Sequence, residues 1–417
     1  MRVFQGKKII LGVCGGIAAY KAADLCRLLV KEGAKVQVIM TRAAREFITP
    51  LTLSTLSGSP VLTDIFASAE NSPLTHIEVA SGADLLLIAP ATANIIAKLA
   101  VGLADDLLST TALVVTCPTL IAPAMNAHMY GKAVVQQNLE VLKQRGWAVI
   151  EPEEGLLACG AEGKGRLASL DKIMAAARKA LLPQDFAGRK VVVTAGGTRE
   201  PLDPVRFLGN RSSGKMGYAL AQAAWERGAR VSLVSAATGL EPPFGVEFYP
   251  VETAAEMGER VKSLFPQADI VIKAAAVADF RPARVEKEKI KKRSQDHLNI
   301  TLEPTIDILA ELGKVKQHQI LVGFAAETKD ALVHGAAKMR HKNVDLMVVN
   351  DVTREGAGFG SDTNIVTLLY PDGRTEELPR LPKLEVAHRI LDALKELPRF
   401  PSSGEPGGGE PGRGEAE

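Results

Sequence analysis

The sequence has few cysteines and almost no excess of charge. Its 417 residues include four cysteines, Cys14, Cys26, Cys117 and Cys159, with neither a CxxC pair nor metal-ligand spacing. Scattered single cysteines are typical of a reducing cytosol. The formal net charge of +2 does not support a nucleic-acid partner, which requires a concentrated basic face.

Long hydrophobic runs are also missing. The apolar stretches break well short of the ~18 residues of a membrane span, and the first residues lack a signal-peptide pattern. We therefore expect a cytoplasmic protein with no membrane partner. A hydrophobic content of 46% and a charged content of 24% indicate a globular chain. At ~150 residues per domain, its length predicts two or three domains.

The most informative stretch is 190–217, KVVVTAGGTREPLDPVRFLGNRSSGKMG. A β-branched run predicts a buried strand over 191–194, and Gly196 and Gly197 follow where the strand must turn. A second small-residue cluster, 210–214, then begins a helical pattern. Backbone N–H groups at such a turn and helix start bind phosphate oxygens. The stretch 8–20, KIILGVCGGIAAY, repeats this order, so we expect two nucleotide-type domains.

Strands and helices alternate through both halves. The first half predicts strands over 9–13, 36–40, 84–89, 120–122 and 147–152, with helices over 17–30, 93–100, 107–114 and 132–145 and a further helix from 169. The second half predicts strands over 191–194, 231–234, 270–274, 320–324 and 346–349, helices over 216–227 and 254–264, and a final hairpin turning at 370–373. This pattern predicts two doubly wound, three-layer α/β domains of the Rossmann-like type.

The predicted domains are 1–189 and 190–400. The remaining residues, 401–417, are rich in Gly, Pro and Glu without an apolar period, so we expect a disordered tail.

Small and polar residues follow the strands of the first domain. They are Gly15, Gly16, Thr41, Ala91, Thr92, Asn94 and Ser109. Each alone could be only a turn or helix cap, but together they can bind a phosphate and a heterocycle. The spacing GVCGGIA lacks G-x-G-x-x-G, which makes NAD the weaker inference.

Three further residues of this half are candidates for chemistry. A histidine side chain ordinarily titrates near neutral pH, so His76 could act as a base, although a lone histidine is more often structural. Asn126 follows a buried strand, where its amide could reach a carboxylate or merely form a turn. Cys159 lies in a glycine-rich loop, GLLACGAEGKGR, of a composition that serves either as a flexible connection or as a lid.

Basic residues crowd two segments of the second half. One contains Lys287, Lys289, Lys291, Lys292 and Arg293, and the other contains Lys338, Arg340 and Lys342. Such runs are usually solvated faces, but converging lysines would also suit a nucleoside triphosphate.

Several of these motifs resemble known enzymes of coenzyme A biosynthesis. AGGTREPLDPVR followed by N-x-SSGKMG resembles phosphopantothenate–cysteine ligase, and AAAVADF, EKIKK, GFAAET and AAKMRHKN are similar to the segments of that family that contact CTP. GGIAAYK, APATANIIAK, DDLLST and PAMN resemble the FMN-dependent phosphopantothenoylcysteine decarboxylases usually fused to it. The resemblance covers roughly residues 5–397.

For the first half, the resemblance implies an FMN site formed by the seven residues after the strands. It implies that His76 starts the reaction, Asn126 holds the substrate carboxylate and Cys159 protonates the intermediate. Cys14 departs from the family, which usually has Ser there.

For the second half, the resemblance implies Asn210 and Lys289 as the catalytic pair. The implied CTP contacts are Ser212, Gly214, Ala275, Asp279, Lys289, Asp307, Phe324, Lys338 and Lys342. Ile306 stands where the family commonly has Pro. Mg²⁺ is expected with CTP, but no metal ligand is assigned.

The resemblance thus implies a bifunctional enzyme that joins 4'-phosphopantothenate to cysteine with CTP and then decarboxylates the product to 4'-phosphopantetheine. The family's decarboxylase halves form trimers and its ligase halves dimers, which implies a homo-oligomer, closing into a dodecamer. The alternatives are a flavin or nicotinamide oxidoreductase and a non-catalytic nucleotide-binding module.

Overall fold

The computed structural model describes residues 3–65, 74–156, 160, 162–236, 239–291, 298–327, 331–351 and 360–400. The chain forms two compact units, Arg2–Pro183 and Gln184–Glu417. The tail that the sequence predicts to be disordered lies outside the described residues.

The first unit is built on a five-stranded parallel sheet. Its strands are β1 (Lys8–Val13), β2 (Lys35–Met40), β3 (Leu85–Ala91), β4 (Thr119–Pro123) and β5 (Ala148–Val149). Their order is β2-β1-β3-β4-β5, the flavodoxin-like order, which reverses direction between β1 and β3. Ligands of such sheets bind beyond the carboxyl ends of the strands at this reversal.

Helices cover both faces of this sheet. They are α1 (Lys21–Lys31), α2 (Pro50–Ser57), α3 (Thr75–Ala80), α4 (Ala93–Val101), α5 (Leu107–Val114), α6 (Ala127–Tyr130), α7 (Ala133–Gln144) and α8 (Leu170–Leu181). Alternate residues of β1 enter different cores, Ile9 and Leu11 on one face and Ile10 on the other. The predicted three-layer α/β architecture is confirmed. A hairpin of β6 (Glu153–Leu156) and β7 (Glu162–Arg166) follows β5.

Two elements of this unit differ from the prediction. The helix predicted over 17–30 begins as a 3₁₀ helix, Ile17–Tyr20, and becomes α-helical from Lys21. The strand predicted over 147–152 pairs with β4 only at Ala148–Val149, because the chain then leaves the sheet for the hairpin. A second 3₁₀ helix, Arg42–Glu46, follows β2.

The second unit is built on an eight-stranded sheet. Its strands are β8 (Lys190–Ala195), β11 (Arg230–Ala236), β12 (Glu247–Val251), β13 (Ile270–Lys273), β16 (Ile320–Glu327), β17 (Leu346–Asp351), β18 (Thr363–Leu369) and β19 (Thr375–Pro382). Their order is β12-β11-β8-β13-β16-β17-β18-β19. Neighbouring strands from β12 to β17 pair in parallel, and the pairs β17–β18 and β18–β19 are antiparallel. In the parallel part the order within the unit is 3-2-1-4-5-6, the Rossmann order, with its reversal between β8 and β13.

The remaining elements of this unit are helices and short pairs of strands. The helices are α9 (Lys215–Glu226), α10 (Ala254–Leu264), α11 (Ile308–Val315), α12 (Ala331–His341) and α13 (Lys383–Lys395), with a 3₁₀ helix at Phe265–Gln267. The pairs are β9 (Arg199–Pro201) with β10 (Phe207–Gly209), and β14 (Phe280–Pro282) with β15 (Leu302–Pro304). No element is predicted from the sequence over β12, α11, α12 or α13.

A buried arginine fastens the start of the second unit to two of its helices. Arg227 follows α9 and donates to both carboxylate oxygens of Asp185, at 2.8 and 2.5 Å, and to Asp392 of α13 at 2.8 Å. Its guanidinium also lies over the ring of Phe186. Because the arginine is buried and its partners satisfy it, the cluster holds residues 185–186 against the helical layer.

Among the described helices, none is both long and apolar enough to cross a membrane.

Two candidate active sites

A cavity of about 590 Å³ opens at the carboxyl ends of β1, β3 and β4. This is the edge where the sheet order reverses. The walls are loop and helix-start residues: Gly15, Gly16, Ile17, Ala18, Tyr20, Lys21, Pro90, Thr92, Ala93, Ala124, Met125, Asn126, Met129, Leu156, Gly165, Arg166 and Leu167.

The glycines after β1 leave space that a side chain would fill. A Cβ at Gly15 would lie 2.5 Å from the Cβ of Ala43, so no larger residue fits there. A Cβ at Gly16 would approach only Thr92 Cγ2, at 4.0 Å, and would therefore extend into the cavity. Beside Gly16, Thr92 caps α4 by accepting the N–H of Ile95 at 3.4 Å. The start of a nine-residue helix thus faces the glycine turn, which favours an anion.

The structure brings together part of the predicted flavin site. Gly15, Gly16 and Thr92 line the cavity, whereas Thr41, Ala91, Asn94 and Ser109 do not. The N–H of Thr41 donates to Val13 O at 3.0 Å, and Ala91 is fully buried at the end of β3. Asn94 is exposed on the first turn of α4.

Ser109 is engaged in a helix cap. It is fully buried, and its N–H donates to Asp106 Oδ1 at 2.8 Å at the start of α5. Asp106 also pairs with Lys98 at 2.7 Å. Burial raises the pKa of Asp106, but the bonds to Lys98 and Ser109 outweigh it and hold that pKa below its usual range. The contacts among Lys98, Asp106 and Ser109 therefore stabilise the first turn of α5.

Cys14 lies behind the glycine turn and is buried. Burial raises the pKa of its thiol to about 12, which keeps it neutral at physiological pH. Cys14 does not line the cavity, so at this position the chain offers a ligand no side-chain anion.

Asn126 lines the cavity and begins α6. Its side-chain oxygen accepts the N–H of His128 at 2.8 Å. This bond identifies which end of the Asn126 amide is the oxygen, and the nitrogen is therefore the opposite end. The preceding residue, Met125, donates its N–H to Gly165 O of β7 at 3.0 Å. A Cβ at Gly165 would collide with Met125 O, so the hairpin strand packs against this loop only because residue 165 is glycine.

His76, which was also predicted to be catalytic, is not among the described residues that line this cavity. His76 stands in the first turn of α3, half-buried, with Nδ1 buried and unpaired within the described part of the chain. Cys159 lies outside the described residues.

The lining also contains residues that were not predicted as site residues. Lys21 and Arg166 add two cationic groups, and Ile17, Tyr20, Met129 and Leu156 are exposed apolar side chains. The signal for Lys21 is its place at the end of GGIAAYK, one helical turn after the glycines.

A second cavity, of about 510 Å³, lies in the second unit beyond the ends of β8 and β13. Its walls come from the loop before α9, the loop after β13, strands β16 and β17, and helices α11 to α13. The residues are Asn210, Arg211, Ser212, Ser213, Gly214, Lys215, Met216, Gly217, Lys273, Ala274, Ala275, Ala276, Val277, Asp279, Leu309, Phe324, Ala325, Lys338, Lys342, Met347, Asn350, Gly360, Asn364 and Lys383.

Most of the predicted nucleotide residues meet here. Asn210, Ser212, Gly214, Ala275, Asp279, Phe324, Lys338 and Lys342 all line this cavity. Gly214 has a φ of 77° and begins α9, a conformation in which a side chain would be strained. Its N–H donates to Ser212 Oγ at 3.4 Å, so the turn before the helix is formed by its own small residues.

Asn210 is oriented by the loop after β13. Its Nδ2 donates to Ala276 O at 3.3 Å and to Val277 O at 3.1 Å. Carbonyl oxygens only accept, which identifies the donor end of the amide. The side-chain oxygen is then the atom through which Asn210 can accept a hydrogen bond from a ligand.

The lining is strongly cationic. Arg211, Lys215, Lys273, Lys338, Lys342 and Lys383 line the cavity, and among its described lining Asp279 is the single carboxylate. Lys215 pairs with Asp362 at 2.6 Å, and Lys383 donates to the carbonyls of Ser361 and Thr363. Such a cavity suits a polyanion. Lys273, Lys383 and Asn350 lie outside the motifs recognised in the sequence.

Two predicted residues lie elsewhere. Asp307 caps α11 and pairs with Lys342 at 2.8 Å, so it holds a wall residue without lining the cavity itself. Lys289 is exposed, on a segment fastened by Asp203, which accepts the N–H of Ile290 at 3.0 Å. No group of three or more metal-ligating side chains is found in the described ranges.

Comparison with known proteins covers both units. The family model "Flavoprotein" matches residues 2–182, and the model "DNA/pantothenate metabolism flavoprotein C-terminal domain" matches residues 186–397.

Relatives match over almost the whole chain. A coenzyme A biosynthesis bifunctional protein CoaBC of Bacillus subtilis is 51% identical, over 95% of this chain and 98% of that protein. The protein of the same name from Mycobacterium tuberculosis is 45% identical, over 93% and 96%. A solved C-terminal domain of a CoaBC protein is 44% identical, with a TM-score of 0.44, over 51% of this chain and 96% of that one. The chain belongs to the family of coenzyme A biosynthesis bifunctional proteins.

Proposed function

We propose that the chain is a bifunctional enzyme that makes 4'-phosphopantetheine. The second unit joins 4'-phosphopantothenate to cysteine with CTP, and the first removes the cysteine carboxylate with FMN. The observation that carries the proposal is a ligand-sized cavity in each unit, each beyond the strand ends where the sheet order reverses.

FMN fits the first cavity in size and in donor chemistry. A volume of about 590 Å³ lies within the 300–1,000 Å³ of typical small-molecule sites. The open space beside Gly16 and the start of α4 suit a phosphate, and the apolar side chains of Ile17 and Met129 suit a flat ring. Bound FMN would supply the two-electron oxidation of the substrate thiol that makes loss of the neighbouring carboxylate feasible.

The residues of the chain orient the substrate in this half. Asn126 would present its amide nitrogen to the substrate carboxylate, since its oxygen is already used in capping α6. We assign His76 the role of base, since its Nδ1 has no hydrogen-bond partner among the described residues. Cys159 is assigned as the proton donor that completes the product.

The ligase half must activate a carboxylate, which is a poor electrophile. Attack of the substrate carboxylate on the α-phosphate of CTP would form an acyl-cytidylate and release pyrophosphate. The cysteine amine would then displace cytidylate. The six cationic lining residues would offset the phosphate charge, with Mg²⁺ entering together with the nucleotide. Asn210, with its oxygen available as an acceptor, is suited to orient the amine.

We further propose that the protein is a homo-oligomer, and that trimers of the first unit and dimers of the second close into a dodecamer. Exposed apolar side chains around the first cavity, Ile17, Tyr20 and Leu156, support a covered surface there. Light scattering at micromolar concentration tests this. A monomer would contradict it.

The alternative of a flavin or nicotinamide oxidoreductase is not favoured, because both halves match the bifunctional family over nearly their full length. Two half-reactions test the assignment. Phosphopantothenate, cysteine and Mg²⁺ should release pyrophosphate with CTP and much less with ATP. Phosphopantothenoylcysteine alone should release CO₂ without consuming NAD(P)H. Release of phosphate rather than pyrophosphate would point to an acyl-phosphate route and contradict the ligase assignment.

A further inference from the structure

Lys273 occupies the end of a buried strand and lines the second cavity. It is the last residue of β13, and its register partners are Thr194 of β8 and Gly323 of β16. It therefore stands beside the reversal of strand order, where ligands of this fold class bind. The side chain is half-buried and lines the cavity.

The surroundings of Lys273 are partly apolar. At Gly323, its neighbour in the sheet, a Cβ would meet Leu309 and Met347 side chains at 3.0 Å, and both side chains also line the cavity. A lysine enclosed in this way loses much of the hydration of its ammonium, which is unfavourable unless an anion replaces the water.

The protein itself does not provide that anion. Within the described residues, no hydrogen bond or ion pair engages the Lys273 ammonium. Asp307 is nearby, but one of its oxygens accepts the N–H of Ala310 at 3.0 Å and the other pairs with Lys342 at 2.8 Å. Asp279 is exposed and forms no ion pair with Lys273.

The charged groups that act on Lys273 lie on several elements of the cavity wall. They are Asp279 after β13, Asp307 before α11, Lys338 on α12 and Lys342 just beyond it. Burial lowers the pKa of Lys273 to about 8, Lys342 and Lys338 act in the same direction, and the two aspartates oppose them. Three lysines thus act on one another here, while Asp307 is engaged by Lys342 and Asp279 is exposed. This arrangement favours a bound anion.

We infer that Lys273, with Lys338 and Lys342, forms a phosphate-binding subsite of the ligase cavity, in which Lys273 binds a substrate phosphate group directly. This inference rests on the proposed ligase function and adds a residue to it. The phosphate belongs either to the nucleotide or to 4'-phosphopantothenate, and the two sources are distinguished by experiment.

The test uses the full-length protein with Lys273→Met, which keeps the length of the side chain and removes its charge. Dissociation constants for CTP with Mg²⁺ and, separately, for 4'-phosphopantothenate are measured by calorimetry at pH 7. We expect one of them to rise at least about tenfold, because a hydrogen bond between two charged groups is lost. A rise for CTP identifies the nucleotide as the source, and a rise for 4'-phosphopantothenate identifies the other substrate.

Two controls separate binding from folding. Lys262→Met, on α10, removes a lysine that pairs with Glu311 and lies outside the cavity lining, and should leave both constants unchanged. Decarboxylation of phosphopantothenoylcysteine should be normal in both variants. If Lys273→Met folds poorly, Lys273→Gln provides the same loss of charge with a polar side chain.

The pH profile gives a readout that a structural role would not produce. In the unaltered chain, affinity for the phosphate ligand should weaken as the pH rises through about 8, because Lys273 loses its proton. Lys273→Arg should restore binding at pH 7 and remain charged at pH 9, so it should bind better than the unaltered chain there.

Unchanged constants in Lys273→Met, with an unaltered chain that binds both ligands, would overturn the inference and leave the ligase function standing. An unaltered chain that binds neither ligand would overturn both the inference and the ligase function.

Discussion

The side-chain nitrogen of Asn210 lies 3.1 Å from the backbone oxygen of Val277. This bond joins the loop before α9 to the loop after β13, the two loops that meet where the strand order of the second unit reverses. It also fixes which end of the amide can accept a hydrogen bond. A residue whose orientation is determined by backbone carbonyls can position a nucleophile without rearranging.

Asn210→Asp should interrupt the second step of ligation. A carboxylate cannot donate to Ala276 O and Val277 O, so its negative oxygens would face two backbone acceptors and the side chain would turn away. We expect the acyl-cytidylate to accumulate and transfer to cysteine to slow at least about tenfold. Quenched-flow samples analysed by mass spectrometry would show this. Wild-type transfer rates would remove Asn210 from the mechanism.

Lys289→Gln should block the first step. An electrostatic contact to a developing charge contributes about 3–4 kcal/mol, which corresponds to a loss of about 10²–10³-fold in kcat. Pyrophosphate release in the presence of CTP is the measurement. Lys287→Gln is the matched control, since Lys287 is equally exposed on the same segment. Lys289 does not line the cavity of its own chain. If the two substitutions reduced pyrophosphate release equally, this segment would contribute only general positive charge.

Cys159→Ser should separate the release of CO₂ from the formation of the complete product in the first unit. Without a thiol to protonate the intermediate, CO₂ should still be released, but the product should lack the two hydrogens that complete 4'-phosphopantetheine. Mass spectrometry of the product distinguishes the two species. An unchanged yield of the complete product would assign Cys159 a structural role.

Arg227→Met should destabilise the second unit. It leaves Asp185, which is mostly buried, without its principal partner, and breaking a buried ion pair costs about 3–5 kcal/mol. Chemical denaturation at pH 7 measures this. The variant should still bind FMN, because the affected contacts belong to the second unit alone.

The same ion pair predicts a pH dependence. Burial raises the pKa of Asp185, but Arg227 and Lys395 outweigh it and hold the pKa below its usual value. The stabilisation is therefore fully present above the unfolded pKa of about 3.9 and is lost as the pH falls through the lower folded pKa. Between pH 5 and pH 2, Arg227→Met should lose less stability than the unaltered chain. An equal loss of stability in both proteins as the pH falls would show that Asp185 does not contribute to the pH dependence.

Local patterns were sufficient to predict most of the two sheets. Every residue of Leu85–Ala91 is buried, and a strand covered on both faces appears in the sequence as a continuous apolar run. The helix Lys383–Lys395 was harder to predict, because its buried residues alternate with charged ones and it starts directly after a strand, with Pro382 at its N-cap. No glycine or capping side chain marks its beginning.

The candidate sites were harder to predict than the sheets, because they form where strands that are distant in the sequence pair. Glycine turns are visible locally, and so Gly16 and Gly214 could be predicted. Lys273 stands in an otherwise apolar run, IVIKAAAVAD, where it resembles the end of a strand. Its place in a cavity depends on the pairing of β13 with both β8 and β16. The register partners of Lys273 on these strands, Thr194 and Gly323, are 79 and 50 residues away in the sequence.

The central claim is that one chain carries out both reactions in sequence. The most direct measurement incubates the purified protein with 4'-phosphopantothenate, cysteine, CTP, Mg²⁺ and FMN and identifies the products by mass spectrometry. We predict 4'-phosphopantetheine, with pyrophosphate and CO₂ released in equal amounts. Unreacted 4'-phosphopantothenate, from a folded protein to which FMN has been added, would contradict the account.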